Sequence, residues 1–135
     1  MSALNPQILG LAENAHRAIL NRALNGTGLT YESYVALKIA SGGPVPAVAF
    51  PGTIAGALKV DPEAADQIIA DLAAAGLLTA DSSLTDQARD LLDRIGAAVG
   101  SSVAGAYAGI PAEDLETAGR VLTLITDRLT AILTT

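Results

Sequence analysis

Residues 59–85 constrain the fold more than any other part of the chain. Asp61 followed by Pro62 is typical of a helix start, because aspartate can cap free backbone amides and proline lacks an amide that would be left unsatisfied there. Apolar residues then recur at helical spacing and predict one buried face, at Ala65, Ile68, Ile69 and Leu72. Gly76 is expected to end this helix in the left-handed conformation.

Two short segments after Gly76 indicate a small hairpin. Residues 77–79 and 83–85 are predicted to be very short strands, joined by a turn at residues 80–82. A helix, a glycine stop and a hairpin in this order predict the second half of a winged helix-turn-helix.

The composition favours one mainly α domain. The chain has 135 residues, half of them hydrophobic and 16% charged, which is enough to bury a core. It has no cysteine and one histidine, so disulfides and thiolate chemistry are excluded and we expect no metal and no cofactor.

The N-terminus lacks the pattern of a signal peptide. Two uncharged windows, residues 39–58 and 95–112, are too rich in Pro, Gly, Ala and Ser to span a membrane, so we expect a cytoplasmic protein without a membrane partner.

The first and last helices indicate a homodimer. Residues 6–25 carry an apolar stripe flanked by three leucines: Ile8, Leu11, Ala12, Ala15, Ile19 and Ala23, with Leu9, Leu20 and Leu24 beside them. Pro111 opens the last helix, whose inward-facing residues are predicted to be Leu115, Ala118, Leu122, Ile125, Leu129 and Ile132. Both faces are wider than one neighbour needs, which suggests a second copy of the chain.

The long helix at residues 85–109 contains three interior glycines, Gly96, Gly100 and Gly105. They cost roughly 3 kcal/mol of helix stability together, so something must offset them. Close helix packing, a bend and a cavity all remain open. The buried line of this helix is predicted to be Ala88, Leu91, Leu92, Ile95, Val99, Val103 and Ala106.

Four segments in sequence order resemble the multiple-antibiotic-resistance regulator (MarR) family: LTYESYVALKIA, PGTIAGALKVDPEAADQIIADLAAAGLL, SLTDQARDLLDRI and IPAEDLETAGRVLTLITDRL. The resemblance covers residues 5–133. It implies a single MarR-like domain over residues 1–135, with a winged-helix lobe at 29–87 and dimerisation helices at 5–25 and 88–133. It also implies a small, often aromatic ligand in a cleft between these helices and the lobe.

The chain departs from the family pattern where the helix-turn-helix begins. Family members usually have Leu-Thr/Ser-Pro there, with the hydroxyl as the helix cap, whereas this chain has Ala49, Phe50 and Pro51. Phe50 in place of the cap costs about 1 kcal/mol. Gly52 and Gly56 weaken the same helix by up to about 1 kcal/mol each, so we predict a marginal helix.

The expected DNA-reading surface is acidic. By resemblance, the reading positions on the helix at residues 62–75 are Pro62, Glu63, Ala64, Asp66, Gln67, Ala70 and Asp71. Residues 59–93 hold two cations against eight anions, a net charge of −6 that equals that of the whole chain. The wing is a short turn without the family's Asp-x-Arg motif. Because phosphate neutralisation supplies most DNA affinity, we expect DNA binding to be weak or absent. If it is active, Glu63, Ala64 and Gln67 are the candidate readers.

The sequence offers one candidate ligand site, formed by His16, Tyr34 and Tyr107 around Gly100. The primary hypothesis is that this set binds a small hydrophobic or aromatic molecule in a dimer-associated cavity. Packed aromatic residues with hydrogen-bonded polar tips are the alternative interpretation of each. For function, a ligand-responsive DNA-binding regulator is the first alternative. A scaffold recruited as an enzyme or protein–protein adaptor is the second, with His16 as base and a tyrosine as acid but no identifiable nucleophile.

Overall fold

The computed structural model describes residues 2–43 and 45–135, and this part of the chain is mainly α as predicted. Its helices are α1 (Pro6–Leu24), α2 (Tyr31–Ser41), α3 (Phe50–Leu58), α4 (Pro62–Ala74), α5 (Asp86–Tyr107) and α6 (Ala112–Leu133). The β structure found among the described residues is one isolated antiparallel bridge between Leu78 and Leu84. The order of elements is that of a winged helix-turn-helix lobe between an N-terminal helix and two C-terminal helices.

The chain forms two compact units that divide within α5. The first ends at Ser102 and the second runs from Val103 to Thr135. The first unit therefore contains α1 to α4, the hairpin and most of α5, and the second contains the last turn of α5 and α6. The division into a lobe at residues 29–87 and dimerisation helices on either side stays a prediction.

One cluster of buried side chains forms the core of the first unit. Its largest fully buried members are Phe50, Leu37 and Ile54, from α3 and α2. The remaining members come from α1, α2, α4, the hairpin and α5: Leu24, Ala36, Ala65, Leu72, Leu77, Leu78, Leu84, Ala88, Leu91, Leu92 and Ile95. The helix-turn-helix, the hairpin and the first half of α5 therefore share a single core.

Local signals define the starts of α2 and α4 and the end of α4. The Thr30 hydroxyl accepts a hydrogen bond from the Ser33 amide (3.1 Å), and the Ser33 hydroxyl accepts one from the Thr30 amide (2.8 Å), which completes a capping box. Asp61 is the N-cap of α4, but its side chain makes no capping hydrogen bond, so Pro62 alone provides the expected signal. Gly76 follows α4 with φ +77°, the left-handed stop that the sequence predicts.

The start of α3 lacks a side-chain cap, as predicted, but the cap position is Ala49 and not Phe50. Phe50 is the first helical residue and is fully buried. Its amide donates to the Pro46 carbonyl at 3.1 Å, as does the Ala49 amide at 2.9 Å. Burying a phenylalanine contributes about 1.5–3 kcal/mol, which exceeds the roughly 1 kcal/mol lost with the cap.

The wing is as short as predicted and is tied to both neighbouring helices. The Thr79 amide donates to the Ser83 carbonyl (2.9 Å), and the Thr85 amide donates to the Leu77 carbonyl (3.2 Å). The Thr85 hydroxyl donates to the Gly76 carbonyl (2.9 Å) and accepts from the Ala88 amide (3.2 Å). Thr85 therefore caps α5 while it holds the end of α4.

Several of the predicted apolar faces are not covered within the single chain. On α1 the flanking Leu24 is buried, whereas Ile8 and Leu11 of the predicted stripe are 38% and 66% exposed. On α5 the buried line ends at Ile95: Val99 and Val103 are half-buried and Ala106 is exposed. None of the residues predicted to face inward on α6 is buried. Helical spacing identifies an apolar face, but burial also requires a neighbour that covers it.

No single helix among the described residues is both long and apolar enough to cross a membrane. Helices α5 and α6 meet the criterion of length and composition only together, as two segments separated by a bend of 113°.

We predict opposite stability changes for two Gly→Ala substitutions. Gly76→Ala should destabilise the protein by about 1 kcal/mol, because an alanine at φ +77° is strained. Gly56→Ala should stabilise it by up to about 1 kcal/mol, because Gly56 is helical and an added Cβ would meet no atom within 4 Å. Urea unfolding at one fixed protein concentration measures both. Equal changes in the two variants would contradict the left-handed stop at Gly76.

Candidate functional site

The four residues of the sequence-predicted ligand site lie on three helices. His16 is exposed on α1, with its Nδ1 atom 2.7 Å from the Ala12 carbonyl oxygen. Tyr34 on α2 packs against the core cluster, and its partial burial raises its pKa. Gly100 is exposed on α5, and Tyr107, which belongs to the second unit, is 40% exposed. Their joint role in ligand binding stays a prediction.

The first unit contains a different cleft, of about 1090 Å³, in which His16, Tyr34 and Gly100 take no part. Its walls are the end of α2, the segment leading to α3, the hairpin turn and the first half of α5. The apolar lining residues are Ala40, Val45, Pro46, Ala47, Leu84 and Leu92. The remaining lining residues are Lys38, Ser41, Gly43, Asp81, Ser82, Ser83, Arg89, Asp93 and Gly96.

Local hydrogen bonds shape two walls of this cleft. At the end of α2 the Ser41 hydroxyl donates to the Lys38 carbonyl at 2.7 Å. In the hairpin turn the Thr79 hydroxyl donates to the Asp81 carboxylate, and this bond lowers the pKa of Asp81. Ser82 follows in the left-handed region at φ +63°. The turn therefore presents a carboxylate that stays charged and is already hydrogen-bonded within the hairpin.

The charged groups of the cleft are balanced and accessible. Arg89 forms an ion pair with Asp86 at 3.1 Å, but both side chains are largely exposed, so the pair is worth little. The Lys38 ammonium makes no ion pair within residues 2–43 and 45–135. Two cations, two carboxylates and three serines surround the apolar surface of Val45, Leu84 and Leu92. Such mixed walls suit a molecule that combines an apolar part with polar or charged groups.

The resemblance implied a cleft between the lobe and the dimerisation helices, but sequence reasoning missed the residues that line this one, because its walls come from four segments that are distant along the chain. The sequence contained one signal for this cleft. Gly96 is a glycine inside a helix, and the helix stability that it loses had to be offset by packing, a bend or a cavity. Gly96 lines the cleft, whereas Gly100, the residue that the sequence favoured, does not.

The expected DNA-reading face on α4 is exposed and carries Glu63, Asp66 and Asp71. Gln67, the one amide among the reading positions, donates a hydrogen bond to Asp71 Oδ1 at 2.8 Å. Lys59, at the turn before α4, has a left-handed backbone (φ +58°), and its ammonium donates to the Gly56 carbonyl at 2.8 Å. Two polar groups that could contact DNA are thus engaged within the lobe.

No family model matches the sequence, and no curated protein matches it significantly. Solved structures do match. A MarR family transcriptional regulator from Rhodococcus sp. RHA1 is 23% identical with a TM-score of 0.74, over 93% of this chain and 98% of that one. CouR from Rhodococcus jostii RHA1, bound to p-coumaroyl-CoA, is 23% identical with a TM-score of 0.75, over 88% and 89%.

A MarR family protein from Mycobacterium tuberculosis, solved in complex with DNA, is 25% identical to this chain. The TM-score is 0.69, and the match covers 92% of this chain and 98% of that one. The same protein in complex with salicylic acid gives 24% identity and a TM-score of 0.68, over 91% and 98%. The chain therefore has the winged-helix fold of the MarR family of transcriptional regulators, the family that its sequence resembles.

Proposed function

We propose that this chain is a MarR-fold homodimer that binds a small, mainly apolar molecule and binds DNA only weakly. The observation that carries the proposal is the cleft of about 1090 Å³ between the hairpin turn, the α2–α3 segment and α5. Ligand sites are usually concave and offer both apolar contact and polar groups that orient the ligand. This cleft provides apolar side chains such as Val45, Leu84 and Leu92 beside charged and hydroxyl groups.

The structural neighbours support ligand binding by this fold. CouR is bound to p-coumaroyl-CoA, and the Mycobacterium tuberculosis protein is bound to salicylic acid. Both molecules combine an aromatic ring with an acidic group or its thioester derivative. These ligands belong to those proteins, and they guide the choice of compounds to be tried on this chain.

The exposed apolar surface of α6 supports the homodimer. Six large hydrophobic side chains of α6 are at least 36% exposed in the single chain: Leu115, Val121, Leu124, Leu129, Ile132 and Leu133. Leu4, Ile8 and Leu11 at the start of the chain are also exposed. Apolar surfaces of this extent mark interfaces, and a second copy of the chain offers a matching apolar surface.

The charge of the lobe supports weak DNA binding. Residues 59–93 carry a net charge of −6, and α4 contains no lysine or arginine. Because cationic contacts to phosphate supply nearly all non-specific affinity and much of specific affinity, this surface should repel a duplex.

A ligand-responsive DNA-binding regulator is the second candidate function. It is favoured by the Mycobacterium tuberculosis neighbour, which was solved in complex with DNA and matches 92% of this chain. The two candidates share the ligand and the dimer and differ in their affinity for DNA.

The dimer is tested on α6. Leu129 is 53% exposed, and Leu129→Glu places a charge within the apolar face, so it should shift the protein toward monomers. Thr123→Glu adds the same charge elsewhere on α6 and should leave the dimer intact. Light scattering at micromolar concentration measures both variants. A wild-type monomer under these conditions would contradict the dimer.

Ligand binding is tested by thermal unfolding with aromatic acids, salicylate among them. A compound at about 100 times its Kd should stabilise the folded state by about 2.7 kcal/mol and raise Tm by several degrees. Backbone NMR shifts should then change at residues 81–84 and at Arg89, Leu92, Asp93 and Gly96, which line the cleft. Changes confined to His16, Tyr34 and Tyr107 would instead favour the site predicted from sequence.

The electrostatic argument is tested by charge reversal on α4. The double variant Glu63→Lys/Asp66→Lys should raise affinity for a random-sequence duplex at least about tenfold at 50 mM salt, because it removes repulsion and adds phosphate contacts. Glu116→Lys/Asp127→Lys makes the same charge change on α6 and should alter affinity less than about threefold. Fluorescence anisotropy measures both. Equal gains would show that net charge, and not the α4 surface, governs DNA affinity.

A further inference from the structure

Gly96 is the residue of α5 at which the cleft wall has no side chain. It lies in the interior of a 22-residue helix, one turn beyond Leu92, which also lines the cleft. The backbone at Gly96 does not have the positive φ that would require glycine. A Cβ built there would meet no atom within 4 Å.

Neither backbone geometry nor packing within this chain therefore requires glycine at position 96. A glycine inside a helix lowers helix stability by about 1 kcal/mol relative to alanine, so glycine at position 96 destabilises α5 measurably. Its visible consequence is open space in the cleft beside Leu92 and Asp93. The cleft is also large, because about 1090 Å³ lies just above the roughly 300–1,000 Å³ typical of pockets for drug-sized ligands.

We propose that Gly96 determines which ligands this cleft accepts: it keeps the α5 wall open for a molecule larger than a single aromatic ring, with an extended apolar body. This inference rests on the proposed function and adds the size class of the ligand and the residue that sets it. A single ring would occupy a small part of the cleft and leave much of the surface of Leu84, Leu92 and Val45 in contact with water.

Gly105 provides a matched control. It lies further along α5, and a Cβ there would likewise meet no atom within 4 Å. It does not line the cleft and is not part of the ligand site predicted from sequence. Gly96→Leu and Gly105→Leu therefore make the same chemical change, and they differ in whether the new side chain enters the cleft.

The experiment measures binding of two probes to the full chain by calorimetric titration and fluorescence. The large probe is 1-anilinonaphthalene-8-sulfonate, and the small probe is salicylate. Wild-type protein should bind the large probe more tightly. Gly96→Leu should weaken that binding at least about tenfold, whereas Gly105→Leu should change it less than about twofold. If Gly96→Leu does not fold, Gly96→Ala replaces it, with an expected loss of at least about threefold.

The other possible outcomes contradict separate parts of the proposal. Equal losses in the two leucine variants, or no loss in Gly96→Leu, would overturn the role of Gly96. Loss of the dimer in Gly96→Leu by light scattering would assign the glycine to contact between copies instead. Wild-type protein that binds salicylate but not the large probe would overturn the size class and leave the proposed function standing. If neither probe binds, and no compound in the thermal series binds, both the size class and the proposed function are contradicted.

Discussion

The burial of Phe50 is the interaction on which the lobe and its cleft depend. Helix α3 begins without a side-chain cap, and the full burial of Phe50 beside Leu37 and Ile54 more than offsets that loss. The same side chain fixes the end of the segment that leads from α2, where the Phe50 amide also bonds to the Pro46 carbonyl. Pro46 lies in the cleft wall, so one anchor supports both the fold of the lobe and the shape of its candidate site.

The sequence predicted the helices and their ends well because those signals are local. Pro62 at the start of α4 and the left-handed Gly76 after it each act within a few residues. Burial was predicted less well, because the predicted stripe on α1 and the whole of α6 carry apolar residues that this chain does not cover. The resemblance implied a cleft between the lobe and the dimerisation helices, but its lining residues could not be predicted, since its walls come together only when four separate segments fold.

The fold and the function of this chain have to be argued from different observations. The position of α4 follows from the MarR fold, but its exposed surface carries carboxylates and no cation. The Lys59 ammonium and the Gln67 amide bond within the lobe to the Gly56 carbonyl and the Asp71 carboxylate. We propose that the chain retains a cleft for a ligand, whereas the α4 surface that would face DNA phosphates is negatively charged.

The salt dependence of DNA binding by the wild-type dimer tests this central claim most directly. A protein that neutralises phosphates loses affinity steeply with salt, with a slope of about −0.9 in log K against log salt for each contact. With duplexes from its own promoter region, we predict a slope near zero and no complex at about 150 mM salt. A slope of about −5 or steeper, with a sequence-dependent Kd of about 10⁻⁸ M at that salt, would contradict the proposal and establish the DNA-binding regulator instead.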